Sequence, residues 1–315
     1  MDYRRLGNSG LQVSVIGLGT NTIGPDLDEA KTEQVIGRFL DLGMNFIDTA
    51  DTYSRGTSES HIGKAIVSLK ARSKAIIATK CGIPMSDDLN DRGASRQHIV
   101  DSVHKSLTRL QTGHIDLLQI HRPDAETPID ETLRALDDVV RAGKVRYIGC
   151  SNYAAWQLVE AMQTARASHL TPYVSLQPEY NLLNRGIEAE IIPAAQRYGV
   201  GLIPYSPLAA GFLTGKYKQG QDRPADARGG KRPGPFFDRW LTERNYAAVG
   251  RLQAYADELA HPLSELAIAW LIAQPAVSVV IVGASRVEQI DANAKAAEWK
   301  LSADEVKRAV EVAVG

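Results

Sequence analysis

The chain has 315 residues, of which 44% are hydrophobic and 23% charged, so it has the composition of a globular protein and can bury a large core. Its 36 Lys and Arg balance 37 Asp and Glu, which argues against the basic surface of a nucleic-acid-binding protein. The chain has only two cysteines, no apolar run long enough to span a bilayer and no apolar leader segment. We therefore expect a cytoplasmic protein without disulfides or a membrane partner.

Eight short apolar runs recur along the chain and are rich in β-branched residues. They are nearly continuous in apolar character rather than alternating, which is typical of parallel strands that are covered on both faces. They lie at residues 13–19, 45–48, 75–80, 115–121, 145–151, 173–178, 200–206 and 277–283. A hairpin around the turn at residues 7–10 is predicted before the first run.

Helical patterns separate these runs. In residues 28–43, Val35, Ile36 and Phe39 fall on one side of a helix, and Gly43 follows as a stop signal. Further helices are predicted at 58–69, 95–113, 130–144, 154–167, 188–198, 242–260, 263–274, 287–297 and 301–313.

Eight strand–helix units predict one (β/α)8 TIM barrel domain over residues 1–315, in the α/β class. We expect the N-terminal hairpin at the barrel floor and extra helices and loops at the C-terminal face, including a mobile loop at 207–237. An open doubly wound sheet is the rival. The segment from Gly17 to Gly24 does not support it, because Thr22 stands where a dinucleotide fingerprint needs its third glycine.

Polar residues follow three consecutive predicted strands. Asp48 ends the second strand, Lys80 the third and His121 the fourth, while Tyr53 lies in the loop after Asp48. The carboxyl ends of barrel strands share one face, and the chemistry of such barrels lies there. We therefore expect these four side chains to form one cluster.

The residue types of this cluster suggest carbonyl chemistry. Asp48 can keep a buried Lys80 charged, and the Lys80 ammonium should then lower the pKa of Tyr53 and make it a general acid. His121 can donate a hydrogen bond to a substrate carbonyl oxygen. No activated serine or cysteine stands out as nucleophile, so hydride from a nicotinamide would complete the reaction.

Several motifs in chain order resemble the aldo-keto reductases, in particular the bacterial branch that also contains potassium-channel β-subunit domains. The resemblance covers almost the whole chain. It is carried by "FIDTADTYSRGTSE", "ATKCG", "DLLQIHRPD", "GKVRYIGCSNY", "SLQPEYNLLNR", "PYSPLAAGFLTGKY" and "VIVGASRVEQIDANAKA". It implies a catalytic tetrad of Asp48, Tyr53, Lys80 and His121.

The same resemblance implies a bound NADPH or NADP+, with NADH less favoured. An arginine at position 286, where a helix is predicted to begin, would favour the 2′-phosphate of NADPH. The family often has a glutamate where this chain has Ala292, so one bond to the adenine would be absent. The implied cofactor-binding residues are Thr20, Asn21, Asp48, Ser151, Asn152, Gln177, Tyr205, Ser206, Pro207, Leu208, Gly211, Lys216, Gly283, Ser285, Arg286, Gln289 and Asn293.

Two other functions remain open at this stage. Lys80 could be the nucleophile of a Schiff-base lyase or aldolase, or the chain could be a nicotinamide-binding regulatory subunit with little turnover. His121 disfavours the latter, because the channel subunits carry a different residue there. The expected partner is a small carbonyl or alcohol substrate whose identity is not readable. No metal site is expected, since the seven histidines are scattered.

Overall fold

The computed structural model describes residues 1–315 and contains ten strands and twelve α-helices. The strands are β1 (Tyr3–Arg5), β2 (Gln12–Ser14), β3 (Ile16–Gly19), β4 (Phe46–Asp48), β5 (Ile76–Cys81), β6 (Ile115–Ile120), β7 (Val145–Ser151), β8 (Ser175–Gln177), β9 (Gly201–Leu202) and β10 (Val280–Gly283). The helices are α1 (Glu29–Asp41), α2 (Thr57–Ser68), α3 (Arg96–Leu110), α4 (Ile129–Arg141), α5 (Ala155–Ala167), α6 (Ile191–Tyr198), α7 (Arg228–Lys231), α8 (Pro235–Asp238), α9 (Glu243–Glu258), α10 (Leu263–Ile272), α11 (Val287–Ala296) and α12 (Ala303–Val314).

Strands β3 to β10 form one parallel sheet that curls into a barrel. Their spatial order is β10, β3, β4, β5, β6, β7, β8, β9, with every neighbouring pair parallel. The open edge is closed by backbone bonds from Leu202 N to Ala276 O (2.9 Å) and from Ser278 N to Leu202 O (2.9 Å). The predicted (β/α)8 barrel and its eight strands are thus confirmed.

The predicted hairpin, β1 with β2, covers the N-terminal end of the barrel. Leu6 and Val13 are fully buried against side chains that point into the barrel, among them Phe46 and Leu117. Arg4 fixes the hairpin from outside by donating to the carbonyl of Val277 at 2.7 Å. The floor of the barrel is therefore closed by apolar packing, and access is left to the opposite end.

The helices surround the barrel because each has one apolar side. In α1, Val35, Ile36 and Phe39 are buried, and the Asp28 side chain caps the helix by accepting a bond from Lys31 N at 2.9 Å. Strand residues are buried on both faces, as the continuous apolar runs predicted. None of the helices combines the length and apolar character needed to cross a bilayer.

The segment after β9 is folded over the C-terminal face of the barrel. The sequence predicted a loop at 207–237, whereas the structure adds a 3-10 turn at Ala209–Thr214 and the short helices α7 and α8. Phe237 is only 1% exposed, and the Tyr217 hydroxyl accepts a bond from Gly229 N at 2.9 Å. This packing holds α7 above the end of the barrel.

Candidate active site

The four side chains of the predicted tetrad meet at the C-terminal rim. Asp48 is the last residue of β4, Lys80 precedes the last residue of β5, and His121 follows β6. Tyr53 lies on the turn after β4. Asp48, Tyr53 and His121 line a cleft of about 460 Å³ above the barrel, and Lys80 lies beneath them.

Asp48 and Lys80 form a fully buried ion pair. Lys80 Nζ lies 2.7 Å from Asp48 Oδ2 and donates to the Thr49 carbonyl at 2.8 Å. The second carboxylate oxygen accepts from Gln177 Nε2 at 2.9 Å and from Gln119 Nε2 at 3.2 Å. Burial lowers the pKa of Lys80, but the charge of Asp48 opposes burial and, with a smaller contribution from Tyr53, leaves that pKa above its usual value.

Tyr53 is held over this ion pair by an unusual turn. Ser54, Arg55 and Gly56 all have positive φ values, 51°, 52° and 87°. Three left-handed residues in succession form a tight turn between the tyrosine and the start of α2. The Lys80 Nζ atom lies 5.2 Å from the centre of the Tyr53 ring, and the His121 ring meets that ring edge-on at 6.0 Å.

The expected direction of the Tyr53 pKa shift is wrong. Burial raises the pKa of Tyr53 more than the nearby charge of Lys80 lowers it, so the net shift is upward. The sequence identified the neighbouring ammonium but not the depth at which the phenol lies. Tyr53 is therefore protonated at neutral pH. It can still give its proton to an alkoxide, which is a far stronger base than a phenolate.

His121 is neutral in this site. Burial, with smaller contributions from Lys80 and Arg122, lowers its pKa to about 3. Its Nδ1 atom is buried without a hydrogen-bond partner, and its backbone carbonyl accepts from Asn152 Nδ2 at 3.0 Å. A neutral imidazole carries one N–H and so can donate one hydrogen bond into the cleft.

The residues expected to hold a carboxamide are gathered at the ends of β7, β8 and β9. Ser151 Oγ donates to the Gln177 carbonyl at 2.8 Å, and Asn152 Nδ2 donates to Ser151 Oγ at 3.0 Å. The Tyr205 hydroxyl donates to Asn152 Oδ1 at 3.0 Å. These contacts place amide and hydroxyl groups beside Asp48 on one wall of the cleft.

The cleft continues from this wall toward the start of α11. There Gln289 Oε1 accepts from Ser285 N at 2.7 Å. Arg286 is the exposed N-cap residue of α11 and Asn293 is buried on that helix; neither lines the cleft. The predicted cofactor residues that do line it are Thr20, Asn21, Asp48, Ser151, Asn152, Gln177, Tyr205, Ser206, Pro207, Leu208, Gly211, Lys216, Gly283, Ser285 and Gln289.

Several cleft residues were not identified from the sequence. Most lie on or beside α7, in the segment that was expected to be a loop, and the run "RGGKR" was the signal that could have indicated them. Arg232 pairs with Asp26 and donates to the Asn21 carbonyl at 3.4 Å, so it ties α7 to the loop after β3. The lining residues to which the sequence assigned no role are Asp26, Arg122, Asp226, Arg228, Lys231 and Arg232, whereas Phe236 was expected to be able to cover an apolar ligand.

The cleft is electropositive along this side. Lys216, Arg228 and Lys231 line it and form no ion pair with the chain. Burial lowers the pKa of Lys216, which Asp226 opposes and Arg286 reinforces. Burial, together with the neighbouring Arg232, also lowers the pKa of Arg228. Arg228 is half-buried, whereas Lys216 and Lys231 are exposed to the cleft. Cations that lack a partner in the chain form a site for an anionic ligand.

No cluster of three or more His, Cys, Asp or Glu side chains is arranged to hold a metal ion.

Phe237 and Trp240 belong to the core, with 1% and 5% exposure, whereas Phe236 is 45% exposed and lines the cleft. Of these three aromatic residues in the segment after β9, only Phe236 can therefore contact a ligand in the cleft.

The sequence was compared with family models and with known proteins. It is 41% identical over 304 residues to a probable voltage-gated potassium channel subunit beta of Arabidopsis thaliana, covering 95% of this chain and 92% of the relative. It is 34% identical over 312 residues to the aldo-keto reductase YhdN of Bacillus subtilis, covering 98% of this chain and 92% of the relative. It is 36% identical over 337 residues to the versiconal hemiacetal acetate reductase of Aspergillus parasiticus, covering 98% of this chain and 95% of the relative.

The family model described as the aldo/keto reductase family matches residues 15–314, which is nearly the whole chain. The match includes the barrel, the four clustered side chains and the cleft above them. The protein is therefore an oxidoreductase-type (β/α)8 barrel that belongs to the aldo/keto reductase family.

Proposed function

We propose that this protein reduces an aldehyde or ketone to an alcohol with NADPH, in a reversible reaction. The observation that carries the proposal is the fully buried Asp48–Lys80 pair directly beneath Tyr53, with neutral His121 beside the same phenol. This arrangement offers a proton and a hydrogen bond to a single oxygen atom in the cleft. It is suited to carbonyl reduction, and a purely structural ion pair would not need a phenol and an imidazole beside it in the cleft.

The cleft residues fit a nicotinamide dinucleotide. Unpaired Lys216 and Arg228 would hold the diphosphate, and the hydroxyl and amide groups of Ser151, Asn152 and Gln177 would hold the carboxamide. Tyr205 offers a flat ring against which the nicotinamide can stack. The reduced nicotinamide would supply the hydride.

Tyr53 would be the proton donor. Its pKa is raised, so the phenol keeps its proton until negative charge develops on the substrate oxygen. The Lys80 ammonium lies close enough to stabilise the phenolate that is left behind. His121, neutral down to low pH, would orient the carbonyl oxygen by donating its N–H. In the reverse direction the same groups would remove the proton of an alcohol.

The alternative Schiff-base mechanism is disfavoured by the surroundings of Lys80. Its Nζ is fully buried, does not line the cleft, and bonds to Asp48 and to the Thr49 carbonyl. A protonated, fully bonded amine is a poor nucleophile. Borohydride trapping in the presence of a carbonyl substrate should therefore leave Lys80 unlabelled, whereas labelling of Lys80 would favour the lyase.

A regulatory role is favoured by one observation, namely the relatives whose names include a potassium channel subunit beta. Under that alternative the chain would bind nicotinamide but turn over slowly. His121, which the proposal uses to orient the carbonyl, favours catalysis. Steady turnover with any small aldehyde would decide for the enzyme.

The direct test is a panel of small aldehydes and ketones assayed by the loss of NADPH absorbance. We expect turnover with aldehydes that stops when NADPH is omitted and runs backward with the corresponding alcohol and NADP+. Tight NADPH binding without turnover on any carbonyl would contradict the proposed activity and support the regulatory alternative.

The preference for NADPH is assigned to Arg286 at the start of α11. Arg286→Ala should raise the apparent constant for NADPH about tenfold or more and leave that for NADH nearly unchanged, because only NADPH carries the 2′-phosphate. Initial rates with both cofactors measure this. Arg197→Ala, which removes an exposed arginine on α6, is the matched control. Equal effects of Arg286→Ala on both cofactors would place the phosphate elsewhere.

A further inference from the structure

Arg122 is a cation of the cleft that the proposed cofactor contacts do not use. It follows His121 at the end of β6, is exposed, and lines the same cleft. The other cations that line the cleft, Lys216, Arg228, Lys231 and Arg232, belong to the segment around α7. Arg122 therefore lies on the tetrad side, separate in sequence and in element from the proposed diphosphate site.

The chain provides no negative partner for Arg122. Its guanidinium forms no ion pair and no hydrogen bond with the chain. Asp124, two residues away in sequence, accepts from Ala94 N at 2.8 Å and from Thr127 Oγ1 at 2.6 Å, and Glu179, which acts on the same Tyr205, is paired with Arg239. The positive charge of Arg122 is therefore available to a ligand in the cleft that it lines.

The charge of Arg122 also acts on the catalytic groups. It helps to lower the pKa of His121, after burial and Lys80, and it opposes the upward shift of the Tyr205 pKa. Arg122 is thus within electrostatic range of both the carbonyl-orienting imidazole and the ring proposed to face the nicotinamide.

We propose that Arg122 selects carbonyl substrates that carry an anionic group, a carboxylate or a phosphate, a few carbons from the reacting carbon. With the carbonyl oxygen between Tyr53 and His121, the rest of a short substrate extends along the rim where the guanidinium lies. A guanidinium binds such groups through two parallel N–H bonds, which fixes both position and orientation. This inference rests on the proposed reductase activity and names its substrate class.

Phe236 lines the same cleft, and the guanidinium groups of Arg228 and Arg239 lie over its ring at 5.3 and 4.6 Å from the ring centre. A short aldehyde with an acidic end therefore matches this cation-rich cleft better than a long neutral one. Arg122 does not take part in hydride or proton transfer, so it acts as a specificity residue.

The test compares neutral and anionic aldehydes of matched length with the cofactor-loaded enzyme. Pentanal is paired with glutaric semialdehyde, and glyceraldehyde with glyceraldehyde phosphate, so that the two arms distinguish a carboxylate from a phosphate. The wild type should show higher kcat/KM for at least one anionic member, and raising the salt concentration should reduce that advantage.

Arg122→Gln should lower kcat/KM for the preferred anionic substrate by roughly 10- to 100-fold, the scale of hydrogen bonds to a charged group. Most of the loss should be in KM, and it should be at least several times larger for the anionic substrate than for its neutral partner. Arg122→Lys should restore part of the loss because it keeps the charge without the planar geometry. Arg134→Gln, at an exposed arginine on α4, is the matched control and should change nothing.

A wild type without any preference for anionic aldehydes, or an Arg122→Gln variant that weakens neutral and anionic substrates equally, would overturn the inference while leaving the reductase activity intact. If no aldehyde of either charge is reduced, the proposed function fails and this inference fails with it. Activity on the neutral aldehydes therefore tells the two failures apart.

Discussion

Two buried aspartates, Asp48 at the end of β4 and Asp51 on the turn that follows, differ in their surroundings. Asp48 and Asp51 are 2% and 1% exposed. Asp48 bonds to Lys80 and to two glutamine amides, whereas no side chain donates a hydrogen bond to either carboxylate oxygen of Asp51, and the backbone of Thr52 offsets its burial only in part. Burial and the nearby charge of Glu59 raise the pKa of Asp51 to about 7.

The difference shows that the placement of a cation, and not burial, decides what a carboxylate does here. Arg109 is the cation whose charge lowers the pKa of Asp51, but its Nε already donates to Glu59 at 2.7 Å. Glu59 also accepts from Thr79 Oγ1 at 2.6 Å, so the pair on that side of the turn is complete without Asp51. Asp48 therefore serves as a charged support for Lys80, while Asp51 keeps its proton up to about pH 7.

Replacing Lys80, the cation paired with Asp48, should have the largest effect on stability and activity. Lys80→Met leaves Asp48 buried without its counter-charge, and we expect a loss of about 3–5 kcal/mol in the free energy of unfolding together with loss of measurable aldehyde reduction. Urea denaturation and NADPH absorbance measure the two effects. Lys74→Met, at an exposed lysine just before β5, is the control. A Lys80→Met protein as stable as the wild type would contradict the role of this ion pair.

Asp51→Asn should have the opposite sign. The folded-state pKa of Asp51 lies above its value of 3.8 in the unfolded chain, so the folded protein loses stability as the pH rises from about 4 to about 7. An uncharged Asn lacks this loss. The variant should gain stability relative to the wild type with rising pH, by at most about 4 kcal/mol at pH 8.

Urea midpoints at about pH 4.5 and 8 test this prediction. The pH dependence is the readout, because any packing difference between Asn and Asp is present at both values. Asp41→Asn, at an exposed position at the end of α1, should show no such dependence. If the urea midpoints of Asp51→Asn and the wild type differ by the same amount at both pH values, the pKa of Asp51 is not raised and the buried carboxyl is ionised at both.

The smallest effect concerns the pH profile of catalysis. With a His121 pKa of about 3, ionisation of His121 should contribute no limb to kcat/KM between about pH 5 and 8. A limb near pH 7, if present, should persist in His121→Gln, at lower overall activity, and disappear in Asp51→Asn. A limb near pH 6.5 that vanishes only in His121→Gln would show that the imidazole titrates normally.

The barrel and the cluster of Asp48, Tyr53, Lys80 and His121 could be predicted because the ends of apolar runs in the sequence show which residues lie at the C-terminal rim. Continuous apolar runs located all eight strands, and the polar residues at or just beyond the strand ends gave Asp48, Lys80 and His121. The N-terminal hairpin was equally clear from its turn.

What could not be predicted depended on burial depth and on irregular backbone. The segment around α7 has no periodicity, so Arg228 and Arg232 were not recognised as cleft residues. The upward shift of the Tyr53 pKa follows from desolvation, which the sequence does not report. Asp51 received no role because nothing in the sequence distinguishes a paired from an unpaired buried acid.

The central claim is that Tyr53 gives the proton that completes carbonyl reduction, and Tyr53→Phe tests it most directly. NADPH binding, followed by cofactor fluorescence, should remain nearly intact, while aldehyde reduction should fall by two orders of magnitude or more, the scale expected for loss of a general acid. A phenylalanine variant that binds NADPH and keeps most of its reductase activity would contradict the account.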